Sequence, residues 1–190
     1  MKIDFAIAGG GIVGILTALA IKKKYPDSEI AIFEKEPYLA DHTTGRNSGV
    51  LHAGIYYPHQ SLKHLLCVEG NLMWEKLTSD LNLQTRRCGK FIFSVSQAED
   101  DELQNLLTKA MKNDVPQIRE ATTAELNEVK KIANVHSALF SPFTGILDVS
   151  STMSKLEILC EKESIYFLKR SEIKNLSANS EGFEFTVNGD

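Results

Sequence analysis

Six residues near the amino end constrain this chain more than any other feature: Gly9-Gly10-Gly11-Ile12-Val13-Gly14. Before them, Ile3-Asp4-Phe5-Ala6-Ile7-Ala8 is short and mostly apolar, the pattern of a strand buried on both faces. After them, Ile12, Leu16, Leu19 and Ala20 recur at helical spacing, and Lys22, Lys23 and Lys24 place positive charge at the negative end of the helix dipole. Pro26 and Asp27 mark a turn, and Glu29 to Glu34 reads as a second strand. Strand, helix and strand in this order predict a βαβ unit with a right-handed crossover, and so an α/β fold with a parallel sheet.

The glycines match G-x-G-x-x-G, in which they serve a tight turn, close backbone approach to a pyrophosphate and close helix-to-strand packing. A helix opening there aims unpaired N–H groups at phosphate. Glu34 stands 20 residues beyond Gly14, at the end of the second strand. A carboxylate at that place accepts hydrogen bonds from ribose hydroxyls and repels an added 2′-phosphate, so NAD or FAD is favoured over NADP.

Composition narrows the class further. A net charge of −4 lacks the basic excess that nucleic-acid backbones select. The 43% hydrophobic content excludes a disordered or collagen-like chain. Cys67, Cys88 and Cys160 are odd in number, without a Cys-x-x-Cys pair or zinc spacing, and read as reduced thiols of an intracellular, cytoplasmic protein with no metal site. The apolar stretch from Ile12 to Ile21 is interrupted by Gly14 and Thr17, and falls short of the ~20 residues of a membrane span.

From Lys35 to His59 no period is sustained, and Gly45, Gly49, Gly54 and Pro58 punctuate a structured loop of a length that is usually functional. Leu62, Leu66, Met73, Leu77 and Leu81 then form a helical stripe expected to face the core, with Gly70 permitting close packing. Phe91 to Val95 and Ala138 to Phe140 are expected strands, with helices at Ala98 to Lys112 and Thr123 to Lys131. Ser150 or Ser151 is expected to cap a helix carrying Met153, Leu156, Leu159 and Cys160. A strand from Ile165 to Lys169 and a hairpin of Glu172 to Leu176 with Phe183 to Val187 follow. His42, His59, His64 and His136 lie in polar or loop contexts and are expected at the surface. Cys67, on the amphipathic helix, is expected to pack rather than react.

The loop after the second strand separates the NAD and FAD readings. A nicotinamide domain proceeds to another βα unit, whereas this chain continues Thr43-Thr44-Gly45-Arg46-Asn47-Ser48-Gly49-Val50-Leu51-His52-Ala53-Gly54-Ile55-Tyr56-Tyr57-Pro58. With Ser61-Leu62-Lys63, Leu66-Cys67-Val68-Glu69-Gly70 and Thr144-Gly145-Ile146-Leu147-Asp148, it resembles the FAD-dependent oxidoreductases of the D-amino-acid-oxidase type, and most closely their L-2-hydroxyglutarate oxidase/dehydrogenase branch. The resemblance spans nearly the whole chain, and residues 46–57 carry most of its specificity.

The resemblance implies a Rossmann-like FAD-binding domain with an inserted α+β substrate domain, incomplete at the C-terminus: residues 1–85 as the first part of the FAD-binding domain, 86–144 as a substrate-domain portion and 145–190 as the return. It implies FAD with its ADP half on Gly9, Gly11, Ile12, Val13, Gly14, Glu34 and Lys35, and the loop from Thr44 to Gly54 along the pyrophosphate and isoalloxazine. Ser48 offers a hydroxyl and Gly49 a backbone without Cβ where the cofactor passes; Arg46 either neutralises phosphate or stays on the surface, and Asn47 fixes the loop's own backbone.

Oxidising a 2-hydroxy acid requires hydride loss to flavin N5 and proton loss from the hydroxyl. An imidazole with an ordinary pKa of about 6.5 accepts such a proton. His52 is the candidate for that base, against the alternative of a loop histidine that hydrogen-bonds backbone or flavin. Tyr56 and Tyr57 either offer hydroxyls to a substrate carboxylate or form a packing corner before Pro58.

The implied reaction is oxidation of L-2-hydroxyglutarate to 2-oxoglutarate. Another small 2-hydroxy acid, glycerol phosphate, an amine, or a non-catalytic dinucleotide-binding role are the alternatives. A small dicarboxylate substrate, with oxygen or a quinone as electron acceptor, completes the expected partners, and a quinone would bring peripheral association at the inner membrane face. The resemblance further implies that residues 1–190 form the amino-terminal portion of a longer chain, with the strand, the glycine-rich flavin segment and any cationic clamp for a second carboxylate lying beyond them.

Overall fold

The computed structural model describes residues 3–188. In chain order they form β1 (Phe5–Ala8), α1 (Ile12–Lys24), β2 (Ile30–Glu34), β3 (Val50–Leu51), α2 (Leu62–Leu81), β4 (Thr85–Arg86) and β5 (Lys90–Phe93). There follow α3 (Asp100–Lys112), β6 (Arg119–Glu120), α4 (Thr123–Lys130), β7 (Ala138–Ser141), β8 (Gly145–Leu147), α5 (Val149–Lys162), β9 (Ile165–Lys169), β10 (Ile173–Asn179) and β11 (Gly182–Val187). None of these helices is long and apolar enough to cross a membrane.

The chain divides into two compact units: one from residues up to Asn47 together with those from Val149 onward, the other from Ser48 to Asp148. Compactness therefore changes at 47/48 and 148/149, where sequence reading sets boundaries at 85/86 and 144/145. The reason is α2, whose side chains bond to loops of the second unit.

In the first unit a parallel sheet has the order β1-β2-β9, with Phe5 opposite Ile30 and Ile30 opposite Ile165. β2 is central, and Ile30, Ala31 and Ile32 are fully buried. β1 lies at the edge of this sheet and alternates between half-buried and exposed residues, so the expected burial on both faces belongs to β2 instead. Helices α1 and α5 contact each other, α1 lies against β2 and α5 against β9. Ile15, Ala18, Met153, Leu156 and Cys160 fill the core. Burial, reinforced by Glu157, Glu161 and Glu163, pushes the Cys160 thiol up to about 12. Helix α5 begins at Val149, so Ser150 and Ser151 sit in its first turn rather than capping it. β10 and β11 form the expected hairpin, with a bulge between Lys174 and Ser177.

In the second unit two antiparallel sheets have the orders β3-β8-β4 and β5-β7-β6. Ala53, Ile55, Ala110, Val115 and Ile118 form one apolar cluster; Val129, Val135 and Ala138 form another. The first part of the stripe on α2 does not face a core: Leu62, Leu66 and Met73 are exposed while Leu77 and Leu81 are half-buried, and nothing beyond the adjoining chain and helix backbone lies within 4 Å of where a Gly70 Cβ would stand. The buried positions of α2 are polar, His64 and Asn71, because their side chains satisfy backbone groups of neighbouring loops. Sequence reading placed His64 at the surface; it is 4% exposed.

Candidate functional site

The candidate residues fall into two groups, one in each compact unit.

The first group surrounds the end of β1. Gly9 has φ +108°, a conformation that side chains rarely adopt, and its N–H donates to the Phe33 carbonyl at 2.8 Å. A Cβ on Gly14 would be driven into the Gly9 carbonyl oxygen, so only glycine lets α1 start this close to the strand end. Gly11 is the N-cap of α1, its backbone extended and without a side-chain cap. No acidic residue occupies the first turn and three lysines occupy the last, so the helix itself supplies no carboxylate to the partial positive charge at its start.

Glu34, at the end of β2, turns back to this loop. Its Oε2 accepts from the Gly10 N–H at 2.8 Å and its Oε1 from the Glu36 N–H at 2.9 Å. Each oxygen keeps acceptor capacity, so the carboxylate is held by the backbone and still able to take ribose hydroxyls. Thr44 reaches back from the following loop, its Oγ1 accepting from the Ile12 N–H at 3.2 Å.

Gly9, Gly11, Glu34, Lys35 and Thr44 line one cavity of about 360 Å³, within the ~300–1,000 Å³ of small-molecule clefts. Val13 stands 76% exposed in the first turn of α1. A glycine turn that a Cβ would obstruct, a helix start whose N-cap glycine brings no side chain and a backbone-held carboxylate on one cavity fit the adenosine diphosphate half of a dinucleotide.

Arg46 is exposed, its guanidinium 3.6 Å from Asp41. Asn47 donates to the Thr43 and Thr44 carbonyls, tying the loop to itself. Ligand-type atoms of Glu36, Asp41 and His42 lie within 4.8 Å of one another, with His42 Nε2 at 3.0 Å from Glu36. Ser171, Glu172 and Ile173 also line the cavity, although more than 120 residues separate them from Thr44 and no local pattern announces them.

The second group follows β3. Ser48 is exposed and Gly49 buried, the latter with φ +66° and its carbonyl accepting from Leu147. His52 is exposed, and its carbonyl is gripped by α2: Asn71 Nδ2 donates at 2.9 Å and Cys67 Sγ at 3.3 Å. Burial pushes the Cys67 thiol up, against a smaller lowering by a hydrogen bond with the Gly54 backbone. Asn71 is itself fixed by Arg87, whose Nη1 donates to its Oδ1 at 2.7 Å.

Tyr56 and Tyr57 border the same small recess as His52, together with Lys90 and Thr144. The Tyr56 hydroxyl accepts from Lys90 Nζ at 2.8 Å, and the Tyr56 carbonyl from Lys109 Nζ at 2.8 Å. Asn113, fully buried after α3, donates to the Gly54 and Tyr57 carbonyls at 3.2 and 2.9 Å and accepts from His64 Nε2 on its own carbonyl at 2.9 Å. Because the Gln60 N–H donates to His64 Nδ1, the buried imidazole carries its proton on Nε2. Sequence reading missed Lys90, Asn71 and Asn113, whose partners lie 16 to 72 residues away.

A further cluster joins Ser94, Asp100, Ser137 and His136. Both hydroxyls donate to Asp100 at 2.6 Å and His136 Nδ1 lies 2.8 Å from its other oxygen. The serines address the carboxylate rather than the imidazole, so the cluster ties β5 and β7 to the start of α3 and forms no nucleophile relay. The two serine bonds are the main reason the Asp100 pKa is lowered.

A family model described as FAD dependent oxidoreductase matches residues 4–190. The human protein named L-2-hydroxyglutarate dehydrogenase, mitochondrial, is 33% identical over 186 residues, covering 98% of this chain and 40% of that one. The L-2-hydroxyglutarate dehydrogenase of Escherichia coli K12 is 35% identical over 183 residues, 94% of this chain and 42% of that one. Among solved structures, the L-α-glycerophosphate oxidase of Mycoplasma pneumoniae with FAD bound superposes with a TM-score of 0.88 at 22% identity, over all of this chain and 51% of that one. Glycine oxidase from Geobacillus kaustophilus gives 0.85 at 19%, over 98% and 52%. The chain thus spans about half the length, or less, of the proteins it matches.

Proposed function

The chain belongs to the FAD-dependent oxidoreductase family, whose cofactor is FAD, and we propose that it serves the oxidation of L-2-hydroxyglutarate to 2-oxoglutarate. The observation that carries the cofactor side is the cavity on which Gly9, Gly11, Glu34 and Thr44 converge. Similarity to proteins named L-2-hydroxyglutarate dehydrogenase, over nearly the whole chain, supports the choice of substrate.

In this reading Glu34 takes the ribose hydroxyls of the adenosine, while the start of α1, from Gly11 through Ile12, Val13 and Gly14, faces the pyrophosphate. Lys35, Arg46, Ser48 and Gly49 are proposed further cofactor contacts. When bound, the flavin supplies the two-electron acceptor that takes hydride from carbon 2 of the substrate. His52 receives the proton of the 2-hydroxyl. Its exposed ring, carrying no hydrogen bond among the described residues, is open to that hydroxyl, while Asn71 and Cys67 hold its backbone. Tyr56 and Tyr57 face the substrate's carboxylate end. On this reading residues 1–85 and 145–190 carry FAD-binding elements and 86–144 a portion of the substrate domain.

The test is dye reduction by FAD-loaded protein with L-2-hydroxyglutarate, set beside its D-isomer and L-lactate. Preference for L-2-hydroxyglutarate, and a fall in kcat of about a hundredfold or more in His52→Gln, are expected. Failure to acquire flavin absorbance on incubation with FAD overturns the cofactor assignment, and an unaltered kcat in His52→Gln overturns the base.

A further inference from the structure

The recess of the second unit carries a charge that the proton-accepting role of His52 does not use. Two lysine ammonium groups converge on one tyrosine: Lys90 Nζ donates to the Tyr56 hydroxyl at 2.8 Å and Lys109 Nζ to the Tyr56 carbonyl at 2.8 Å. Among the described residues, no carboxylate lies within ion-pair distance of either lysine. The lining of the recess contains no Asp or Glu, although the chain as a whole carries four more acidic than basic groups. Both lysine contacts are solvent-exposed, so this positive charge is open to an anion from outside.

We propose that Lys90 and the Tyr56 hydroxyl form a seat for a carboxylate of the substrate, beside His52. The hydrogen-bond directions select this ligand class. Because the Tyr56 oxygen accepts from Lys90, its own O–H points its proton elsewhere, and among the described residues no acceptor takes it. The ammonium has two further N–H donors. The pair therefore presents one O–H and at least one N⁺–H to a common acceptor, the arrangement that two carboxylate oxygens satisfy with charge-assisted bonds.

The seat is held in place before any ligand arrives. Lys90 opens β5, paired with Ser141 of β7, and its ammonium lies 4.7 Å from the Tyr56 ring centroid. Lys109 fixes the Tyr56 carbonyl, and Asn113 those of Gly54 and Tyr57 on either side. A polar pair positioned this way loses little side-chain freedom on binding. The proposal rests on the reading of this face as the substrate's place, with the carboxylate at the mouth of a recess that itself holds only about 10 Å³; it adds a cationic residue where the resemblance put every cationic clamp beyond these residues, and it names the negative charge of the 2-hydroxy acid as what is selected.

Calorimetric titration of the full chain with 2-oxoglutarate, L-malate, L-lactate and neutral glycerol, in parent, Lys90→Met and Lys90→Arg, tests it without relying on turnover. The expected result is carboxylate binding by the parent, weakened about ten- to hundredfold in Lys90→Met, the loss of one hydrogen bond to a charged group. Lys90→Arg restores part of it, and melting temperatures stay equal. Weakening for 2-oxoglutarate and L-malate alone assigns the seat to the second carboxylate; weakening for L-lactate as well assigns it to the first. Equal affinities in parent and Lys90→Met, or no binding of any acid by the parent, overturn the seat. A parent that binds L-lactate through Lys90 but does not oxidise L-2-hydroxyglutarate would retain the seat and discard the substrate. A Lys90→Met protein with unaltered KM for L-2-hydroxyglutarate would do the reverse.

Discussion

Replacing Asn113 by Leu removes a donor that two loop carbonyls share. Asn113 is fully buried, and its Nδ2 supplies the Gly54 and Tyr57 oxygens. Leucine has a similar size and no donor, so the volume stays filled while both carbonyls lose their partner. Each buried acceptor stranded in this way costs about 1–3 kcal/mol, for a total of roughly 2–6 kcal/mol. The bond from His64 to the Asn113 carbonyl survives because it uses the backbone, and exposed His59 replaces its lost contact with water. For a chain of this length each kcal/mol lowers the melting temperature by about 2–4 °C, so the expected fall is about 4–24 °C. Circular dichroism melts at neutral pH, with urea unfolding at one temperature, provide the measurement. A melting temperature within about 1 °C of the parent would refute the claim that this single amide holds the loop from Gly54 to Tyr57.

Two further outcomes follow from residues described above. Gly14→Ala forces a methyl into the Gly9 carbonyl, so α1 must retreat from the end of β1; a stability loss of about 1–3 kcal/mol and weaker FAD binding in a fluorescence titration are expected, and an unaltered flavin affinity would contradict the proposed cradle. Glu125, in the capping box of α4, is held at about 2 from its ordinary 4.5, first by the Arg119 hydrogen bond and then by the Thr122 backbone. With the folded value depressed, its contribution is complete above about pH 4.5 and disappears as pH falls through about 2; the urea-unfolding gap between parent and Glu125→Gln should close over that range, and a gap independent of pH would exclude the ion pair as its source.

The βαβ opening was legible because its signals are local. A glycine turn between a short apolar run and a helical period admits few backbone courses, and β9 at Ile165–Lys169, the end of α3 and the start of α4 follow from equally local patterns. Burial was less legible, because it depends on neighbours. β1 looks like an interior strand by composition, yet it occupies an edge while β2 occupies the centre. On α2 the leucine period is genuine but its first part turns outward, since His64 and Asn71 find backbone partners inward that leucine could not serve.

The candidate site divides in the same way. Gly9 and Glu34 follow from spacing and Thr44 from the family resemblance alone, and all three line one cavity. Lys90, at the start of β5, meets Tyr56 across 34 residues and has no sequence signature of its own.

One unit drawing on two distant stretches of chain has a consequence for the order of events at the ribosome. β2 receives its second partner only when Ile165–Lys169 has emerged, more than 130 residues after β2 itself. Ser48 to Asp148 are complete well before then. The middle of the polypeptide can therefore settle while Phe5 to Glu34 wait with one side of their central strand unsatisfied, a vectorial sequence that exposes the nascent dinucleotide fold to misassociation for the longest time.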